Sequence, residues 1–359
     1  MQRPVIRAIV DTTALRANLA RIRSVAPRAR VLAVIKANGY GHGILHVARA
    51  LQAADAFGVA RLEEGIALRA AGCGRPVVLL EGVLDTDQLA GAAVHDFELV
   101  VHAPEQLALL EHWRGAHAFR VWVKIDTGMH RLGFAPGELP AALERLRACP
   151  QVRAPLNFMT HLANADVRDD AATARQLAVF ADATAGLPGE RSIANSAGIL
   201  GYQAAHSDWV RPGLALYGAS PFEDIDAASL GLVPVMSLAT RVIALKRVAA
   251  GEAVGYGGTW RAPTERLLAI AAAGYGDGYP RSVDSGTPVL VNGAVARIAG
   301  RVSMDMMTID VTGLPCPAVG DPVLLWGPGL PVEQIAARAG TISYELLCGI
   351  AQRVHLEVR

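Results

Sequence analysis

Cysteine is scarce in this chain. Four residues in 359 (Cys73, Cys149, Cys316 and Cys348) lie far apart and form no CxxC pair. That spacing matches no zinc pattern and argues against a disulfide framework, which points to a reducing, cytoplasmic setting and to no metal. Long apolar runs are missing too. None reaches the ~20 residues of a membrane span, and the opening MQRPVIRAIVDTTAL has neither an apolar signal core nor a cleavage site. Charge of one sign is equally scarce: 34 Lys and Arg balance 33 Asp and Glu, with no basic block and no acidic tail. A dedicated nucleic-acid or membrane-surface partner is thereby excluded. No low-complexity segment or short tandem repeat appears. No GxGxxG follows an expected strand, which weakens an open dinucleotide-binding sheet. Carboxylates are too scattered to supply the pair that glycoside hydrolysis uses.

What is present is a large core. Hydrophobic residues make up 52% of the chain and charged residues 19%, enough for about two domains. Eight short apolar runs occur in the first two-thirds: Val31–Ile35, Ala56–Ala60, Val77–Leu80, Phe97–Val101, Val121–Ile125, Leu156–Thr160, Ser192–Asn195 and Val210–Tyr217. Helix-period segments separate most of them, among them Ile44–Ala54, Leu62–Ala71, Glu105–Trp113, Leu139–Ala148 and Ala171–Ala185, with Thr12–Val25 as a helix before the first run. Strands alternating with helices predict a parallel sheet, and eight units predict a (β/α)8 barrel over 1–231, with an open doubly wound sheet as the alternative. From about Leu232 helices become rare. Apolar runs such as LATRVIAL, PVLVN and PVLLWG alternate with Gly, Pro and Asp turns, predicting a mainly antiparallel β domain over 232–359 with one late helix near Val332–Ala339. Residues 1–10 are free to pair with that second domain.

The chemistry concentrates at VLAVIKANGYGHG, residues 31–43. A β-branched run ends in one lysine, a glycine-rich polar loop comes next, and Gly43 opens a helical pattern. An ammonium is costly to desolvate unless something uses it, and a desolvated lysine is suited to bond an aldehyde. Lys36 thus reads as a covalent anchor for pyridoxal 5'-phosphate (PLP). Taken alone, it reads more readily as a solvated loop residue. Other polar residues share strand ends, where a barrel gathers catalytic groups: Lys124, Asp126 and Arg131 by the fifth strand, His161 after the sixth, Asn195 and Ser196 after the seventh, Arg211 and Gly213 at the eighth. Barrels often bind phosphate on the last two of these loops, which makes Ser196 and the amides near Gly213 a candidate cradle.

Eight ordered motifs carry a resemblance: AVIKANGYGHG (33–43), KIDTGMHRLGF (124–134), THLANAD (160–166), NSAG (195–198), RPGLALYG (211–218), VGYGGTW (254–260), GYGDGYPR (274–281) and GRVSMDMM (300–307). Along essentially its whole length the chain resembles the alanine racemases, PLP enzymes built from a barrel and a β domain. The resemblance implies that Lys36 holds PLP and, once freed, acts as the base on one face of the substrate Cα. Tyr256, arriving from the second subunit of a homodimer, would be the base on the other face. Tyrosine's ordinary pKa of ~10 makes it a poor base at neutral pH unless a cation favours the phenolate. Arg211 would contact the pyridine nitrogen and leave it unprotonated, and His161 would orient Arg211 and Tyr256 through hydrogen bonds. Tyr40, Ser196, the backbone at Gly213 and Leu214, and Tyr344 would bind the phosphate.

By the same resemblance Arg131 would meet the cofactor's phenolic oxygen and the carboxylate of alanine, with the Met304 amide as a further donor, and Tyr275 and Asp305 would line the entrance. Lys124 stands where relatives carry a carbamylated lysine, which would turn a repelled cation into an anion that steadies Arg131; the alternative is an ordinary lysine paired with Asp126. Two positions depart from the family pattern: Ser303, where many relatives have cysteine, and His130, where glycine or asparagine is common. The expected product, D-alanine, would serve peptidoglycan or alanine catabolism. The alternatives are a PLP amino-acid decarboxylase of the same architecture, which would place an acid where Arg211 stands, and a racemase of wider specificity, serine included.

Overall fold

The computed structural model describes residues 5–168 and 170–359. The chain opens with β1 (Arg7–Val10) and α1 (Thr12–Val25), whose start is capped by Asp11 accepting from the amides of Thr13 and Ala14. Eight parallel strands then close into a barrel: β2 (Arg30–Val34), β3 (Ala56–Val59), β4 (Val77–Leu79), β5 (Glu98–Val101), β6 (Phe119–Lys124), β7 (Val152–Met159), β8 (Arg191–Ser192) and β9 (Trp209–Val210). Closure is made where β2 pairs with β9, Arg30 beside Trp209 and Val31 beside Val210. These strands are buried on both faces, which is why they read as continuous apolar runs and not as alternation. Leu32, Ala56, Val78, Val100, Trp122, Met159 and Trp209 fill the lumen. The two indoles meet edge to face at 6.0 Å, and their N–H groups donate to Glu98 and Glu190.

The eighth apolar run ends sooner than its composition suggests. Pairing stops at Val210, and Leu214–Tyr217 coils into a 3₁₀ turn, because Pro212 has no N–H to give a ladder and Gly213 comes directly after it. The seventh strand likewise yields to a short helix, Ser196–Gly201, begun by the Asn195 side chain accepting from the Gly198 amide at 2.9 Å.

The second lobe is an eight-stranded sheet organised on β10 (Met236–Val248), whose burial alternates over Met236, Leu238, Thr240 and Val242. One flank of β10 pairs antiparallel with β1, and β1 pairs in parallel with the last strand, His355–Val358. Both ends of the described chain are therefore stitched into the second lobe, and the barrel lies between them. Helices Val332–Ala339 and Ser343–Cys348 complete this lobe; composition and periodicity predict the first of them but not the second. No helix among the described residues is long and apolar enough to cross a membrane.

Candidate active site

Lys36 lies two residues beyond β2, at the C-terminal rim of the barrel. The turn after it is unusual. Ala37, Asn38, Gly39 and Tyr40 all have φ between 52 and 63°, a run of left-handed backbone that L residues adopt at a cost of roughly 1–2 kcal/mol each. Several bonds hold it. The Asn38 side chain accepts from the Ile44 amide at 3.0 Å, Glu64 accepts from the Ala37 amide at 2.6 Å, and His42 Nδ1 meets the carbonyl oxygens of Tyr40 (2.7 Å) and Gly39 (3.1 Å). Burial lowers the His42 pKa to about 4, so the ring is neutral. Gly41 lets this turn lie flat on helix Ser343–Cys348, since a Cβ there would sit 2.0 Å from the Leu347 carbonyl oxygen.

The turn brings Tyr40 over the loops after β8 and β9. Its ring stacks on Tyr217 at 4.6 Å and faces Tyr344 at 6.0 Å. Its hydroxyl lies so close to Gly213 that a Cβ there would stand 2.5 Å from it. Ser196 Oγ accepts from the amides of Gly213 (3.0 Å) and Ala215 (3.2 Å), which leaves its own hydrogen free to donate. Ser196, Gly213, Leu214 and Tyr40 thus meet in one hydroxyl-and-amide cradle, with Tyr344 at its edge. Burial raises the pKa of Tyr40 and takes that of Tyr344 to about 12, Asp166 adding to the latter, so both hydroxyls remain donors.

Across the rim is a cluster of cations. Arg211, directly after β9 and only 5% exposed, donates to Ser192 Oγ at 2.7 Å and to the carbonyl oxygens of Thr160 and Ile193. Among the described residues no carboxylate touches it and its Nε has no partner, and burial lowers its pKa to about 10. Lys124 ends β6, 8% exposed and without a hydrogen bond to any described residue; burial, then Arg211, Arg131 and Lys36, bring its pKa to about 8. Lys124, Arg131, Thr160 and His161 line a narrow cleft. Asp126 does not pair with Lys124. One of its oxygens takes the amides of Gly128, Met129 and His130, and the other faces His130 Nδ1 at 3.1 Å. His130 has φ 54°, which explains why glycine or asparagine suits this position.

His161 lies in this cluster, and burial together with Arg211, Lys124, Arg131 and Lys36 holds its pKa well below the usual value. Its ring makes no hydrogen bond to Arg211 or Tyr256 within the chain. Among the described residues of one chain Arg211 is held by Ser192 and the carbonyl oxygens of two strand ends, and a bond from His161 to Tyr256 would lie between two copies.

Tyr256, Tyr275, Met304 and Asp305 belong to the second lobe. Tyr256 stands between Gly255 and Gly257 on a small hairpin beside Arg301, 67% exposed and without a hydrogen bond to any described residue. Tyr275 and Met304 sit on adjoining loops, tied where the Tyr275 amide donates to the Ser303 carbonyl (3.0 Å) and the Gly276 amide to that of Met304 (2.8 Å). Arg353 anchors both loops through Asp277 and Asp305, each at 2.7 Å. Within one chain these groups are not joined to Lys36. Sequence reasoning missed Glu64, Gln176, Ser192, Tyr217 and Arg353. All act through contacts distant in sequence, and only Glu64, at the start of an expected helix, had a local signal.

Comparison places these residues among known proteins. Residues 10–221 match the family model described as alanine racemase, N-terminal domain, and 235–358 the model for its C-terminal domain. The chain is 54% identical over 349 residues to an alanine racemase of Nitrosococcus oceani, covering 97% of this chain and 98% of that one. It is similar to the crystal structure of the biosynthetic alanine racemase of Pseudomonas aeruginosa, with a TM-score of 0.96 at 45% identity over 100% of both chains. The alanine racemase of Acinetobacter baumannii is similar at 0.94 and 38%, covering 99% of this chain and 100% of that one.

Proposed function

This chain belongs to the alanine racemase family, and from that premise we propose that it interconverts L- and D-alanine with PLP held on Lys36 and with two bases on opposite faces of Cα. The observation that carries the cofactor is the convergence, on one barrel rim, of a lysine, a cradle with a free Ser196 donor, and a buried arginine whose Nε is uncommitted. These fit the aldehyde, phosphate and pyridine nitrogen of PLP in turn. When bound, PLP draws electrons from Cα and makes its proton removable. Arg211, with no acid beside it among the described residues, keeps its own proton and leaves the pyridine nitrogen bare, which disfavours decarboxylation and transamination. Ser196, Tyr40, Tyr344 and the Gly213–Leu214 backbone hold the phosphate, while Arg131 and the Met304 amide take the substrate carboxylate, with Tyr275 and Asp305 at the entrance.

Lys36 Nζ moves the proton on one face, and Tyr256 Oη on the other. The exposed Tyr256 reaches the site from a second copy, so the working unit is a homodimer. The lobes divide near 231–232. Lys124, unpaired among cations, reacts with carbon dioxide: a bond forms from Nζ to carbon, a proton leaves, and the resulting anion steadies Arg131. A reducing cytoplasm suits the four free thiols, and D-alanine then feeds peptidoglycan or L-alanine is recovered for catabolism.

Incubation with L-alanine and PLP in deuterated water tests this reading. D-alanine carrying deuterium at Cα is expected, with Lys36→Ala inactive and Tyr256→Phe slowed by about 10²–10⁴-fold, the usual contribution of a general base. Exchange without inversion in the wild type removes Tyr256 from its role, and no exchange with no PLP bound overturns the cofactor assignment.

A further inference from the structure

The lysine that carries this site starts from a strained turn, and the side chain that holds its first peptide comes from the first turn of the helix that follows β3, Leu62–Ala70. Glu64 Oε1 accepts from the Ala37 amide at 2.6 Å, while Oε2 accepts from the amides of Ala60 (2.9 Å) and Arg61 (3.2 Å), just past β3. The Ala37 N–H belongs to the peptide that joins Lys36 to Ala37. Fixing that plane fixes ψ at Lys36 and φ at Ala37, where the left-handed run begins. Inside the run the remaining donors turn back on the chain, Gly39 N to the Ile35 carbonyl (2.9 Å) and Gly41 N to that of Ala37 (3.0 Å), so Glu64 supplies the one tie, among the described residues, of this first peptide to a separate element. The carboxylate has no cationic partner of its own among the described residues; three amides and the start of helix Leu62–Ala70 hold its charge.

We propose that Glu64 is a positioning residue for Lys36: its carboxylate bridges the ends of two neighbouring barrel strands, forces the Lys36–Ala37 peptide into the left-handed turn, and so sets the direction from which the lysine amine enters the site. This rests on the reading of Lys36 as the carrier of PLP. A residue that merely caps its helix would be replaced adequately by aspartate, which keeps the charge but is one methylene too short to span both strand ends.

The test compares wild type, Glu64→Asp, Glu64→Ala and the double variant Glu64→Asp with Ala37→Gly. Each is titrated with PLP, attachment at Lys36 is trapped over time with borohydride and read by peptide mass, and kcat and KM for alanine are measured. The expected result for Glu64→Asp is slower attachment and a kcat lowered by about 100-fold, the scale of a 1 Å misplacement, with KM for alanine little changed and melting close to wild type. Ala37→Gly restores part of the loss, because glycine adopts the left-handed turn freely. Wild type with the trapped adduct, and Glu64→Asp at the same attachment rate and kcat, overturns the role of Glu64 alone. Wild type without any adduct at Lys36 overturns the cofactor reading beneath it.

Discussion

Lys124 shows how one side chain's surroundings decide its chemistry. It is buried, has no hydrogen-bond partner among the described residues, and faces Arg211, Arg131 and Lys36, while the nearest acid in sequence, Asp126, is committed to its own loop. Its pKa of about 8 lies below the ordinary lysine value of 10.5. Below pH 8 the native state carries a charge its environment opposes; between about 8 and 10.5 the unfolded chain holds a proton that the native state has lost. Stability linked to this group therefore rises with pH through that window. The full shift corresponds to about 3 kcal/mol as an upper bound. Denaturation of wild type and Lys124→Met in carbonate-free buffer should show Lys124→Met the more stable at neutral pH, the two converging as pH passes 10. Parallel curves would mean that the amine stays charged. Adding bicarbonate supplies a separate check: a mass gain of one carbon dioxide on the wild type alone is the expected mark of carbamylation.

The elements that carry the site are joined by a buried network more than by the strands themselves. Gln176, on helix Ala172–Ala183, accepts from the Ala163 amide (2.8 Å) and donates to Thr127 Oγ1 (3.1 Å) and the His161 carbonyl (3.0 Å). Thr127 in turn meets Thr160 Oγ1 at 2.8 Å, and the Thr160 carbonyl accepts from Arg211. Gln176→Leu keeps much of the bulk but leaves several buried polar groups without partners. The expected cost is about 2–4 kcal/mol in a urea titration, together with a lowered kcat as the anchors of Arg211 loosen; unchanged values of both would detach the network from the site. None of this was legible in the chain. Period and composition placed the eight strands, α1 and the late helix, because burial on both faces of a barrel strand writes itself as an apolar run. They also placed Lys36, His161 and Arg211 at strand ends. They failed where a polar side chain reaches a distant backbone group, as Glu64 and Gln176 do, and where four successive residues go left-handed with only Asn38 and Gly39 to hint at it.

At the scale of the whole molecule, one chain presents two separate groups of candidate site residues. Lys36, Ser196 and Arg211 are gathered at the barrel rim, whereas Tyr256, Tyr275 and Met304 stand exposed on the second lobe without a bond to them. Exposed aromatic and methionine side chains grouped on adjoining loops are what a partner surface covers. If Lys36 of one copy works with Tyr256 of another, two inactive variants should rescue each other. Lys36→Ala homodimers lack the first base in both sites, and Tyr256→Phe homodimers lack the second. A mixed dimer has one site missing both groups and one site with both intact. Random reassortment makes half of the dimers mixed, each with one of two sites whole, so activity should return to about a quarter of wild type under two-fold symmetry. Recovery should track the kinetics of subunit exchange after the two purified variants are combined. No recovery, with exchange verified by mass-labelled subunits, would place both bases in one chain, whereas a fully active Tyr256→Phe homodimer would return Tyr256 to a surface turn.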